Sequence, residues 1–125
     1  MSIQIQYPGN VGREFKGIFK TYPKSKKRIK DTIKTLKKNP RQGDRYPGFE
    51  GLEVRKLRIG LKEYKISKRN GLRLMFLYLP EKSKILLLTV YTKKHYGKES
   101  EIKTIALERL REFGSETALN DFDLL

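Results

Sequence analysis

The chain of 125 residues has no cysteine and a single histidine, His95. Disulfides and thiolate metal sites are therefore excluded, and so is a metal site built from several imidazoles. No thiol nucleophile or histidine pair is available either. Acidic residues are scarce: 14 Asp and Glu stand against 29 Lys and Arg, a formal net charge of +15. Carboxylates nowhere gather as a magnesium site requires, and no glycine-rich phosphate loop is present. No apolar run approaches the roughly 20 residues that span a bilayer. The opening "MSIQIQYPGN" carries neither the basic stretch nor the apolar core of a secretory signal. These gaps lead us to expect one cytoplasmic domain with no metal, no cofactor and no membrane contact.

What the sequence has in abundance is positive charge, and it is unevenly spread. Residues 1–98 hold 26 basic and 7 acidic side chains; residues 99–125 hold 3 and 7. A field of that sign selects polyanions, and nucleic acid stands first because phosphate neutralisation dominates its binding. An anionic membrane fits less well, since no basic helix here has a broad apolar face with large aromatics.

Hydrophobic periodicity gives the element order. "SIQIQY" alternates Ile3, Ile5 and Tyr7 with polar residues, as a half-buried strand does. Asn10 is placed to cap a helix whose face carries Val11, Phe15, Ile18, Phe19 and Tyr22, and which Pro23 ends. Ser25 is placed to cap a second helix with a stripe of Ile29, Ile33 and Leu36, stopped by Pro40. So short a link makes the two an antiparallel hairpin with lysine-rich outer faces. A Pro/Gly loop, "NPRQGDRYPGFEG", leads to the strand "LEVRKLRI". There Leu57 and Ile59 share one face, and Val54, Lys56 and Arg58 the other. Asn70–Gly71 has the composition of a two-residue hairpin turn into "LRLMFLYL", with Arg73, Met75 and Leu77 on one face. "KILLLTVY" follows. Ser100 then caps a last helix that turns Ile102, Ile105, Ala106, Leu110 and Phe113 inward, with Gly114 as its C-cap.

The order β-α-α-β-β-β-α implies an α+β domain over residues 1–114: a small antiparallel sheet with an N-terminal helix hairpin and a C-terminal helix. The helices cover one sheet face and leave the other open, walled by cations. Residues 115–125 read as an acidic C-terminal tail, either mobile or folded over the basic face.

Basic side chains on an open sheet face can cleave RNA. The 2′-hydroxyl attacks its own phosphate, given a base, an acid and positive charge where the phosphorane becomes negative. Lys56, Arg58, Arg73 and Lys93 fall on three successive strands and can converge there. His95 and Tyr96 lie just past the last strand, able to carry a proton if neighbouring cations lower their pKa values. Arg73 sits among Leu and Met, where an unpaired charge is costly. It must either pair with a carboxylate such as Glu53 or Glu63 or await an anion. "KSKKRIK", residues 24–30, crowds cations into a helix start against the helix dipole, which fits a charge-binding purpose.

Three stretches resemble one family. "NPRQGDRYPGFEGLEVRKLRI", "NGLRLMFLY" and "KILLLTVYTKKHYGKESEIKTIA" occur in the order of the matching segments in RelE/HigB-type toxins of bacterial toxin–antitoxin pairs, part of the RelE/ParE superfamily. The similarity covers roughly residues 3–110. It implies a metal-independent endoribonuclease that cuts mRNA on the ribosome, arrests translation and is neutralised by a cognate antitoxin. Lys56 and Arg58 match its phosphate-holding strand basics, Arg73 its transition-state arginine, and Lys93 the cation ending its last strand. Several members have arginine at that last place, so a lysine forgoes bidentate phosphate binding. A tyrosine used by some members falls here near Glu99 and has no counterpart. Tyr91, His95 and Tyr96 remain as alternative proton carriers. Lys24, Lys26, Lys27, Arg28, Lys30 and Lys34, with Lys94, would then hold RNA of the ribosome. Two other expectations compete: a ParE-like gyrase-inhibiting toxin, and a non-catalytic basic RNA-binding or ribosome-associated protein.

Overall fold

The computed structural model describes residues 2–93, 98–113 and 118–125. Strand β1, Gln4–Pro8, runs directly into helix α1, Gly9–Thr21. The spacing of Val11, Phe15 and Ile18 buries one side of that helix. Asn10 lies inside its first turn, where its Oδ1 accepts from the Val11 N–H, so Pro8 rather than Asn10 occupies the cap. A single 3-10 turn, Pro23–Ser25, connects to helix α2, Lys26–Lys34. Ser25 occupies the cap position of α2, as expected, but makes no side-chain cap bond to it: its hydroxyl donates back to the Tyr22 carbonyl at 2.7 Å. Strands β2, Asp44–Arg45; β3, Glu53–Ile59; β4, Leu72–Leu79; and β5, Lys84–Thr92, follow. Helix α3, Glu99–Phe113, and strand β6, Leu119–Asp121, complete the described elements. Ser100 therefore falls within the first turn of α3, while Gly114 lies outside the described residues.

The class is α+β, but the sheet is not purely antiparallel. Its order is β2-β3-β4-β5-β1-β6, and β1 pairs with β5 in parallel, Ile5 beside Ile85. All the other pairings are antiparallel. It follows that β1 and β3 point the same way, which only a long crossover can achieve; the α1–α2 hairpin is that crossover.

The sheet is covered on both faces. One face packs Leu57, Ile59, Leu74, Phe76 and Leu87 against Phe15, Ile29, Ile33 and Leu36 of the helical hairpin. The other packs Val54, Met75, Leu77, Leu86 and Leu88 against Ile102 and Ala106 of α3. The expected open face is thus closed by α3 along most of its length. Among the described residues it stays open toward the ends of β3 and β5, beside the first turn of α3.

Three further expectations give way. The β3–β4 connection is not a two-residue turn at Asn70–Gly71. Residues 60–71 make an excursion with a bridge between Leu61 and Ile66, a left-handed Lys65 and a 3-10 turn at Lys68–Asn70. Gly71 serves close approach instead: a Cβ there would collide with the Ile59 carbonyl oxygen. The acidic end is not a free tail. Strand β6 pairs with β1, and Phe122 is fully buried against Phe15 at a ring distance of 6.2 Å. Nor does that end cover the basic face. It lies at the edge of the sheet away from β3, where Asp123 pairs with Lys37 at 3.0 Å.

Strand β1 covers the edge of β5 only as far as Leu86. Beyond that, side chains satisfy the strand. The Val90 N–H donates to Glu14 Oε1 at 3.3 Å, and Arg109 Nη1 donates to the Leu88 carbonyl at 2.8 Å. Glu14 and Arg109 pair with each other at 3.1 Å, joining α1 to α3 around the sheet edge.

Candidate active site

Lys56, Arg58, Arg73, Tyr91 and Lys93 line one cavity of about 240 Å³, together with Glu99 and Ile102 at the start of α3. Register places them there. Arg58 lies directly opposite Arg73, and Arg73 opposite Tyr91, in one row across β3, β4 and β5. Like charges facing each other across strands destabilise a sheet, so this row is a feature the fold tolerates rather than one it needs.

Tyr91 reaches that row through a β-bulge. Phe76 pairs with Leu87 and Met75 with Thr89, leaving Leu88 as an extra residue. Strict alternation from Leu86 would put Tyr91 on the other face. The bulge turns it onto the face of Arg73, one of the known uses of such irregularities.

Arg73 is 8% exposed. Neither of the carboxylates expected as its partner is bonded to it: Glu53 pairs with Arg41 at 3.0 Å and Arg55 at 3.3 Å, and Glu63 with Arg28 at 2.6 Å. Its guanidinium instead donates to the carbonyls of Gly71 at 3.2 Å and Arg69 at 2.7 Å. The Gly71 carbonyl also accepts the Lys93 N–H at 3.3 Å, tying the end of β5 to the same point. Carbonyls fix the orientation of a buried guanidinium without neutralising it. That leaves net positive charge directed at the cavity.

Sequence reasoning missed two residues here: Glu99, which lines the cavity, and Tyr46, which is hydrogen-bonded to Glu99 beside it. Lys56 Nζ lies 3.4 Å from Glu99 Oε1 and 5.4 Å from the centre of the Tyr46 ring. The Tyr46 hydroxyl donates to Glu99 Oε2 at 2.8 Å. Burial, followed by that hydrogen bond and the charge of Glu99, pushes the Tyr46 pKa up to about 12. The Glu99 carboxyl is held below its usual range by the Tyr46 hydrogen bond first, with Lys56 and Arg73 adding to the effect against desolvation. Tyr46 follows β2, whose approach to β3 depends on Gly43. That glycine has φ +78°, and a Cβ on it would collide with the Lys56 carbonyl oxygen.

His95, Tyr96 and Lys94 lie outside the described residues. The helix cations are described but do not join the cavity. Helix α2 packs on the opposite sheet face through Ile29 and Ile33. Lys24, Lys26, Lys27, Arg28 and Lys34 are exposed there, with Lys30 half-buried. Lys26 lies 5.3 Å over the Phe19 ring. Arg28 instead helps line a second cavity of about 710 Å³ at the β3 edge, with Arg58, Lys62, Lys65 and Lys68. Arg58 therefore stands between the two cavities. The three lysines recur at every third residue, a signal present in the sequence but not singled out.

Among the described residues no group of three His, Asp or Glu side chains could hold a metal ion. No described helix is long and apolar enough to cross a membrane. A scan against known protein families finds no match to the chain, and a search of curated proteins finds no relative.

Proposed function

We propose that this protein is an endoribonuclease of the RelE/HigB type, acting on mRNA at the ribosome in the cytoplasm and restrained by a cognate antitoxin. One observation carries the reading: Lys56 and Arg58 of β3, Arg73 of β4 and Lys93 just past the end of β5 line a single small cavity. The 2′-hydroxyl of the substrate attacks the adjacent phosphorus while the bond to the 5′-oxygen breaks. The products are a 2′,3′-cyclic phosphate and a 5′-hydroxyl. One group takes the 2′ proton and another returns a proton to the leaving oxygen. Lys56, Arg58, Arg73 and Lys93 balance the charge that builds on the phosphorane. Tyr91 lines the cavity as one candidate proton carrier; His95 and Tyr96 are the others.

The test is expression in a translating lysate with cut sites mapped by primer extension. Arg73→Ala should lower cleavage by about 10²- to 10³-fold, the loss typical of one removed charge-stabilising donor. Thermal melting checks that the variant folds. A protein that arrests no translation and leaves mRNA whole is not a nuclease. DNA damage with intact mRNA would instead identify a gyrase-inhibiting toxin.

A second reading, RNA binding without cleavage, is favoured by one feature. The Tyr46 hydroxyl keeps its proton and Glu99 is tied to it, so neither is a ready base. It predicts salt-sensitive RNA binding with every message intact.

A further inference from the structure

Tyr46 and Glu99 have no part in the cleavage scheme above, yet Glu99 lines its cavity, and Tyr46 hydrogen-bonds Glu99 and holds the Lys56 ammonium over its ring. The donors there are firmly set. Lys56 is rooted in β3 with its side chain 15% exposed. The Tyr46 ring packs edge-on against Phe49 at 5.7 Å, and Phe49 is buried in the core. The acceptor is loosely set. The Glu99 side chain is 63% exposed, projecting from the first residue of α3. Each of its oxygens meets a different donor, Oε1 the ammonium and Oε2 the hydroxyl.

We propose that the Glu99 carboxylate is a placeholder in an anion site, and that a phosphodiester of single-stranded RNA enters by displacing it from Lys56 Nζ and the Tyr46 hydroxyl. The identity of the anion rests on the nuclease reading; the site itself does not. A phosphodiester also presents two unesterified oxygens, so it can take both donors at once. It brings its charge beside Arg58, Arg73 and Lys93, which line the same cavity. A partly exposed ion pair holds weakly, so Glu99 leaves easily. A poorly exposed ammonium, by contrast, needs an anion in every state. The tyrosine stays protonated across the physiological range and is therefore a permanent donor to whichever anion is present. A carboxylate kept so fully ionised is a poor base, which favours occupancy of the site over proton transfer.

The test uses a single-stranded RNA oligonucleotide, 2′-O-methylated throughout so that it cannot be cut, with binding followed by fluorescence anisotropy. Glu99→Gln should bind it about two- to five-fold more tightly than wild type. Adding Tyr46→Phe to that variant should reverse part of the gain. Glu101→Gln, which removes the same charge from an exposed position in the same helical turn, should give less than half the effect. Inorganic phosphate is a second probe, titrated by NMR; it should shift Lys56 and Tyr46 signals more in Glu99→Gln than in wild type. The proposal is overturned if Glu99→Gln binds both probes no better than wild type. It is equally overturned if Glu101→Gln matches Glu99→Gln, or if Tyr46→Phe changes nothing in the Glu99→Gln protein. If phosphate responds as expected while no variant binds RNA, the anion site stands and the nuclease reading fails.

Discussion

Among the described residues Tyr46 carries the clearest pH signature. Its hydroxyl titrates at about 12 in the folded chain, above the ordinary tyrosine value of 10.0. The folded state therefore holds that proton more tightly than the unfolded state. Its contribution to stability is complete below pH 10 and is lost as pH climbs through about 12. Thermal melts across that window should show Tyr46→Phe losing less stability with rising pH than wild type. At this scale the sequence is legible wherever alternation is regular. Lys56, Arg58 and Arg73 could be assigned to one face because β3 and β4 keep a strict period of two up to the cavity. Tyr91 escapes that logic, because nothing in "KILLLTV" marks Leu88 as the extra residue. Tyr46 escapes it too. It follows a two-residue strand and precedes a loop with positive φ at Gly48, Glu50 and Gly51, where no periodicity survives. Glu99 reads from sequence as an ordinary first-turn acid.

Among the elements, β5 depends most on neighbours remote in sequence. Its edge beyond Leu86 is satisfied by Glu14 of α1 and Arg109 of α3, whose side chains are only 18% and 14% exposed. Glu14→Ala should destabilise the fold by about 2–4 kcal/mol, since it strands a poorly exposed guanidinium and frees the Val90 N–H. Urea unfolding measures this, and adding Arg109→Met should recover part of the loss. No such coupling is visible in the sequence, where the partners lie 95 positions apart. Strand direction is hidden for a related reason. Alternation reports which face a side chain takes, not whether the neighbouring strand is parallel, so β1 could not be oriented from its own residues. The helices were easier, because Phe15 and Ile18, or Ile29 and Ile33, declare a buried stripe locally. Strand β6 is three residues long, too short for any period, and Phe122 stands alone among acids.

For the molecule as a whole, net charge of +15 resolves into separate cationic surfaces. One is the cavity, one the β3-edge groove with Lys62, Lys65 and Lys68, and one the exposed face of α2. Replacing those three lysines with alanine should weaken RNA binding at low salt with little effect on folding. The slope of log affinity against log salt should become shallower by about 0.7 for each phosphate of single-stranded RNA that is no longer neutralised. An unchanged slope would remove the groove from the binding surface. Overall charge was readable at once from composition; its division by the sheet was not, because only the fold decides that α2 and the cavity lie on opposite faces.

The outermost strands of the sheet are β2, of two residues, and β6, of three. Among the described residues, an approaching copy of the chain meets outermost strands no longer than that on which to register. The stretch of β3 that β2 leaves uncovered is flanked by lysines, which repel a second molecule of the same sign. Short, lysine-flanked edges of this kind disfavour edge-to-edge pairing between the sheets of two molecules.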